Sequence, residues 1–123
     1  MFKPEEITKK SKLDRFFFSK KDPMLDTLYL HKAWKGSIDV FHSEHILKNG
    51  PPFTYLLRQG ASTYEFFISY VEESESIKHV PFKLELTIRK WSYKNGTGII
   101  SDDLENFIPL VIHCKKSACL PLS

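Results

Sequence analysis

The strongest constraint on the fold of this chain is a series of three strand-like segments. They come directly after a signal that ends a helix. Residues 41–48 carry apolar side chains at Phe41, Ile46 and Leu47, and the run Asn49-Gly50-Pro51-Pro52 ends this helical pattern. Three segments rich in aromatic and β-branched residues come next, at positions 53–59, 64–71 and 79–88. Such composition is typical of paired strands. The sequence therefore predicts a helix followed by neighbouring antiparallel strands.

A fourth short strand and a second helix complete the pattern. Residues 90–93 read as a strand, and Asn95-Gly96 is a turn signal that ends it. Ser101-Asp102-Asp103 then begins a helix, because aspartates suit the positive end of the helix dipole. Pro109 lies inside this helix and is expected to kink or shorten it. The order predicts an α+β fold: a central antiparallel β-sheet flanked by one helix on each face.

The first 32 residues differ from the rest of the chain. Pro4-Glu5-Glu6 predicts a helix start, and the segment turns basic at Lys20-Lys21 before a break at Asp22-Pro23. We expect an N-terminal extension over residues 1–32, helical or partly disordered, and one domain over residues 33–123. The phenylalanines of the extension are expected to pack on the domain rather than contact a membrane surface.

Charge and composition argue against several classes of function. The net charge is only +3 with acids and bases interspersed, which is not the pattern of a nucleic-acid-binding protein. No segment approaches the ~20 apolar residues of a membrane span, and the N-terminus lacks the apolar part of a secretory signal. We therefore expect a cytoplasmic monomer with reduced thiols at Cys114 and Cys119. His42 and His45 have no third ligand at suitable spacing, so no metal or other cofactor is expected.

Arg58 is the first candidate functional residue. It stands near the end of the first predicted strand and is followed by the turn Gly60-Ala61-Ser62-Thr63. Buried arginines are rarely left unpaired, and a guanidinium that faces a loop rich in N–H and hydroxyl donors predicts an anion site. Phosphate matches the planar fork of arginine well. The alternative is an arginine on the solvated face of the strand, and the segment 53–60 alone leaves both interpretations open.

Seven motifs run in a fixed order through residues 33–123. They are Trp34 with Gly36 and Ile38, Ser43-Glu44-His45-Ile46-Leu47, Thr54-Tyr55-Leu56-Leu57-Arg58, Phe66-Phe67-Ile68-Ser69-Tyr70, Pro81-Phe82-Lys83-Leu84, Asp103-Leu104-Glu105-Asn106-Phe107-Ile108 and Ala118-Cys119-Leu120-Pro121-Leu122. In order and approximate spacing they resemble the Src homology 2 family, whose domains bind phosphotyrosine peptides. The third motif is similar to the family signature Thr-Phe-Leu-Val-Arg. Two positions depart from the family pattern: Val40 replaces a basic residue, and Gly60 replaces a Ser or Thr.

The resemblance implies a non-catalytic module that binds tyrosine-phosphorylated proteins or peptides and acts as a signalling adaptor or a competitor. It assigns phosphotyrosine binding to Arg58, Lys83 and the loop of Gly60, Ala61, Ser62 and Thr63, with Lys78 as the alternative to Lys83 in a shifted register. It assigns the rest of the peptide to Phe82, Tyr93, Lys94 and Ala118. The family also occurs in effectors that intracellular bacteria deliver into host cells, so a host-cell cytoplasm is a second expected location.

Two other functions are compatible with parts of the sequence. His113-Cys114 has the order found in cysteine-based tyrosine phosphatases, but the position of their phosphate-binding arginine is Leu120 and the intervening residues contain no glycine. We therefore do not expect an enzyme. The other interpretation is a generic protein-interaction domain without phosphate recognition, in which Arg58 is only structural.

Overall fold

The described residues contain a six-stranded sheet and three α-helices. The computed structural model describes residues 22–93 and 98–123. The strands are β1 (Thr54–Gln59), β2 (Glu65–Val71), β3 (Ile77–Glu85), β4 (Lys90–Tyr93), β5 (Ile99–Ser101) and β6 (Leu120–Pro121). The helices are α1 (Pro23–Tyr29), α2 (Val40–Leu47) and α3 (Leu104–Ile112), with a 3-10 turn at Lys116–Ala118. The prediction of an α+β fold is confirmed.

The sheet is mixed rather than wholly antiparallel. Its strand order is β5-β4-β3-β2-β1-β6, and the first five strands of the chain pair as antiparallel neighbours. The sixth strand runs parallel to β1 and pairs Leu120 with Thr54. The other half of the same edge of β1 is covered by an earlier segment, because the N–H of Lys35 donates to the carbonyl of Leu57 and the N–H of Gln59 donates to the carbonyl of Gly36.

Alternation along the strands separates two groups of packed side chains. In the first group, Leu47 of α2 packs with Leu56 of β1 and Val71 of β2. In the second group, the ring of Phe82 lies 5.6 Å from Phe107 of α3 and 5.9 Å from Trp91. These residues are almost fully buried. Burial of each such side chain stabilises the fold by about 1.5–3 kcal/mol. The core therefore depends on the regular spacing of apolar residues along β1 to β4.

The helix before the sheet domain begins where the sequence predicted a break. The carboxylate of Asp22 accepts a hydrogen bond from the N–H of Met24, and Pro23 is the first residue of α1. Proline suits a first helical position because it needs no N–H partner there, so Asp22-Pro23 is a helix start. The predicted start at Pro4 and the basic pair Lys20-Lys21 lie outside the described residues. Residues 31–123 form one compact unit, and α1 belongs to a separate unit.

Helix α3 continues through Pro109 and ends at Ile112, and its C-cap His113 has a left-handed backbone (φ 58°). Its N-cap is Asp103, since Ser101 belongs to β5. The expectation of reduced thiols is wrong: Cys114 and Cys119 form a disulfide across the 3-10 turn. The turn brings their Cα atoms to 6.4 Å, a distance that a disulfide can bridge. Among the described helices, none is long and apolar enough to cross a membrane.

Candidate functional site

Arg58 lies near the end of β1, and its side chain is buried against the sheet. Only 5% of the residue is exposed. The Nε–H donates to the Oγ of Ser69 at 3.0 Å, and the Nη2 group donates to the Nδ1 of His79 at 3.2 Å. The guanidinium carbon lies 4.4 Å from the centre of the Phe67 ring, within the range of a cation–π contact. Three residues of β2 and β3 therefore hold the guanidinium in one orientation.

With a neutral His79, the hydrogen bonds around Arg58 run in one direction. Arginine has donors and no acceptor, so the Nδ1 of His79 must accept. The hydroxyl of Ser69 accepts from Arg58 and donates to the same Nδ1 at 2.7 Å. The proton of a neutral His79 then lies on Nε2, which donates to the Oε2 of Glu44 on α2 at 2.8 Å. The chain of donors runs from Arg58 through Ser69 and His79 to Glu44, and it links the sheet to α2.

Among the described residues, no carboxylate is in direct contact with the positive charge of Arg58. Two of its five N–H groups are used by Ser69 and His79. The other three make no hydrogen bond to any described residue, and no described carboxylate forms a salt bridge with Arg58. Burial lowers the pKa of Arg58, while the charge of Asp39 at the start of α2 acts against that change. A buried cation with unsatisfied donors is costly, so the geometry is suited to an added anion.

The loop after Arg58 is held by its own backbone and by Gln59. The N–H of Gly60 donates to the carbonyl of Glu65 at 2.8 Å, and a Cβ at Gly60 would lie only 2.6 Å from that oxygen. The side-chain amide of Gln59 donates to the carbonyls of Ser62 (2.6 Å) and Glu65 (3.2 Å). Ala61, Ser62 and Thr63 are exposed at the tip of the loop. Only glycine permits this close approach of β1 to β2.

The two lysines considered for the site lie on opposite sides of the sheet. Side chains alternate along β3, so Lys83 is on the side of His79, whereas Lys78 is on the other. Lys83 is exposed and pairs with Glu85 at 3.3 Å, and Lys78 pairs with Glu72 at 3.5 Å. Of the two, Lys83 alone shares the face of Arg58. Val40, the position that lacks the expected basic residue, is the first residue of α2 and is 39% exposed.

The residues predicted to contact the rest of a peptide are dispersed. Phe82 is buried among aromatic rings, although it also lines a small cavity of about 200 Å³ with Pro81, Lys83 and Ser92. Tyr93 is half-buried at the end of β4, and Ala118 is exposed at the end of the 3-10 turn. Lys94 lies outside the described residues. Phe82 therefore serves the core, and the cavity beside it is the concave surface nearest to Lys83.

Ser69, His79 and Glu44 are site residues that the sequence analysis did not assign. Ser69 pairs directly with His79 across β2 and β3 and with Leu56 across β1 and β2, which places both polar side chains beside Arg58. The signal available in the sequence was a serine inside an apolar strand, followed by a histidine in the next strand. That signal depends on strand register, which the sequence did not fix. No group of three potential metal-binding side chains occurs among the described residues.

No protein-family model matches the chain, and no curated protein matches it either.

Proposed function

We propose that this domain binds phosphotyrosine in proteins or peptides, and that it is a divergent domain of the Src homology 2 type without catalytic activity. The observation that carries the proposal is the buried guanidinium of Arg58, which has three N–H groups without a partner among the described residues and no counter-ion in contact. A phosphate group carries about −1.5 to −2 charges and three acceptor oxygens; the oxygens match these donors in number, and the charge is opposite in sign.

We infer that the two helices α2 and α3 cover opposite faces of the sheet, as the resemblance implies. Leu56 packs with Leu47 of α2, and Phe82 packs with Phe107 of α3. Because side chains alternate along paired strands, Leu56 and Phe82 point to opposite faces of the sheet. Arg58 then faces α2, and the predicted peptide surface at Phe82 faces α3. A phosphotyrosine could reach Arg58 from one side of β3 while the rest of the peptide crosses to the other side.

The depth of Arg58 favours phosphotyrosine over phosphoserine. Arg58 is 5% exposed, so a ligand must reach below the surface to contact its guanidinium. A tyrosyl ring provides that length, whereas the phosphate of phosphoserine stays close to the peptide backbone. Ala61, Ser62 and Thr63 would complete the phosphate contacts from the exposed loop, and Lys83 would contribute from β3. Two carboxylates, Asp39 and Glu44, make the site less positive than the arginine alone would suggest.

The test is titration of a tyrosine-phosphorylated peptide library against the wild-type chain, Arg58→Met and Arg89→Met. Arg89 is an exposed arginine in the turn between β3 and β4, so it controls for loss of one positive charge. We expect Arg58→Met to lose several kcal/mol of binding, in the range measured when one partner of a buried charge pair is removed. We expect Arg89→Met to bind as the wild type does.

A stability measurement on the same variants separates loss of binding from loss of folding. Since Arg58 is a buried charge without a counter-ion among the described residues, Arg58→Met should unfold at the same temperature as the wild type or higher when no peptide is present. Equal binding by the wild type and Arg58→Met would refute phosphate recognition. Equal binding of unphosphorylated peptides would favour a generic interaction domain instead.

A further inference from the structure

A second cavity lies on the face of the sheet opposite Arg58. Its volume is about 270 Å³, and its walls are formed by Phe53, Tyr70, the hairpin residues Glu72 to Ser74, and Ile112 with His113 at the end of α3. Tyr70 follows Ser69 on β2, so its side chain points away from the Arg58 network. The cavity is therefore independent of the proposed phosphate site.

The side chain of Tyr70 is a buried polar group that lines this cavity. Tyr70 is 5% exposed, and its hydroxyl makes no hydrogen bond with a described residue. Burial raises the pKa of Tyr70, and the charge of Glu72 and the neighbouring Tyr93 raise it further. Tyr70 and Glu72 both line the cavity. A buried hydroxyl without a partner is costly, and a ligand N–H would satisfy it.

Two carboxylates, Glu72 and Glu73, line the cavity together with His113. Glu73 is exposed and forms no ion pair with a described residue, while Glu72 shares its charge with Lys78 at 3.5 Å. Ile112 is the last residue of α3, so the carbonyl groups of the final helical turn add partial negative charge nearby. Phe53 and Tyr70 supply aromatic surface, which attracts cations.

We propose that this cavity binds the guanidinium of an arginine side chain from a partner protein. The guanidinium is planar, stacks on aromatic rings and donates hydrogen bonds in several directions, so it can use the Tyr70 hydroxyl, the Glu73 carboxylate and an aromatic wall together. An ammonium group is more strongly hydrated and gains less from the rings. The proposal does not depend on phosphotyrosine binding.

The experiment is an NMR titration of the ¹⁵N-labelled chain with N-acetyl-arginine amide. N-acetyl-citrulline amide, which has nearly the same shape without the charge, and N-acetyl-lysine amide serve as comparison probes. We expect the arginine probe to shift the amide signals of the 72–74 hairpin and His113, and to bind more tightly than the other two. Glu73→Gln should weaken binding about threefold, as expected for an exposed ion pair.

Two further variants keep the test decisive. Glu75→Gln removes the same charge from the same hairpin but does not line the cavity, so it should bind the arginine probe as the wild type does. Tyr70→Phe should weaken binding about three- to tenfold through the lost hydrogen bond, yet be at least as stable as the wild type. Equal binding of the citrulline probe, tighter binding of the lysine probe, or equal effects of Glu73→Gln and Glu75→Gln would overturn the proposal.

Discussion

Replacing Ser69 by alanine tests whether the hydroxyl of this residue holds Arg58 in place. Ser69 is fully buried, accepts the Nε–H of Arg58 at 3.0 Å and donates to the Nδ1 of His79 at 2.7 Å. The alanine leaves a buried, charged donor without a partner and removes one donor to the imidazole. An orphaned buried donor costs about 1–3 kcal/mol, and more when it is charged. We therefore expect Ser69→Ala to lower the free energy of unfolding by about 2–3 kcal/mol.

A matched control is available on the same face of the sheet. Ser92 in β4 is 3% exposed, and its hydroxyl makes no hydrogen bond with a described residue. Ser92→Ala therefore makes the same chemical change without orphaning a partner, and we expect it to be neutral or slightly stabilising. For a domain of this size, about 1 kcal/mol corresponds to a shift of ~4–8 °C in Tm. Urea unfolding and thermal scans of both variants, followed by circular dichroism, measure the difference.

A double-mutant cycle with Arg58→Met tests whether the destabilisation by Ser69→Ala is due to the unpaired Nε–H of Arg58. If the orphaned Nε–H is the main cost, then Ser69→Ala should cost about 1–2 kcal/mol less in the Arg58→Met background than in the wild type. The reasoning is refuted if Ser69→Ala and Ser92→Ala differ by less than about 0.5 kcal/mol, which is the usual error of additivity. It is also refuted if the cost of Ser69→Ala is the same in both backgrounds.

Three other predictions concern stability. Burial lowers the pKa of His31, so near and below pH 6.5 the unfolded chain binds more protons than the folded one. The free energy of unfolding should therefore fall as the pH drops below 6.5. Urea unfolding at pH 7 and pH 5 should show a smaller fall for His31→Gln than for the wild type. Gly60→Ala should cost about 1–3 kcal/mol, because its Cβ would meet the carbonyl of Glu65 at 2.6 Å, and a wild-type Tm would contradict this. Reduction of the Cys114–Cys119 disulfide should cost about 2 kcal/mol by the loop-entropy model, and the double serine variant should not respond to reductant.

Strands β1, β2 and β4 and helices α2 and α3 were predictable because their signals are local. Lys90–Tyr93 is placed where the sequence predicts it, and β1 and β2 agree within one residue at each end. Strand β6 was missed because it has two residues, one of them Pro121, and forms only by pairing with β1. Asp22-Pro23 was misread because the same pair can stop one helix or begin another.

The candidate site was predictable in part. The position of Arg58 in an apolar strand before a polar loop indicates burial near a loop, and the residue is 5% exposed. The partners of Arg58 were not predictable, because a shift of one residue between β2 and β3 would exchange His79 for Lys78 on that face. The disulfide was missed because its formation depends on the turn that brings Cys114 and Cys119 together.

Two different segments pair with the outer edge of β1, and only one of them lies beside Arg58. The segment at residues 33–36 covers the half of β1 that contains Arg58, whereas β6 covers the half at Thr54 and Tyr55. During synthesis the first segment is available as soon as β1 emerges, but β6 is made only after α3. The arginine-bearing half can therefore pair early, and the exposed remainder of the edge is a temporary site for mispairing. Loss of β6 should make the domain more prone to aggregation and proteolysis, while the contacts of Arg58 should change less.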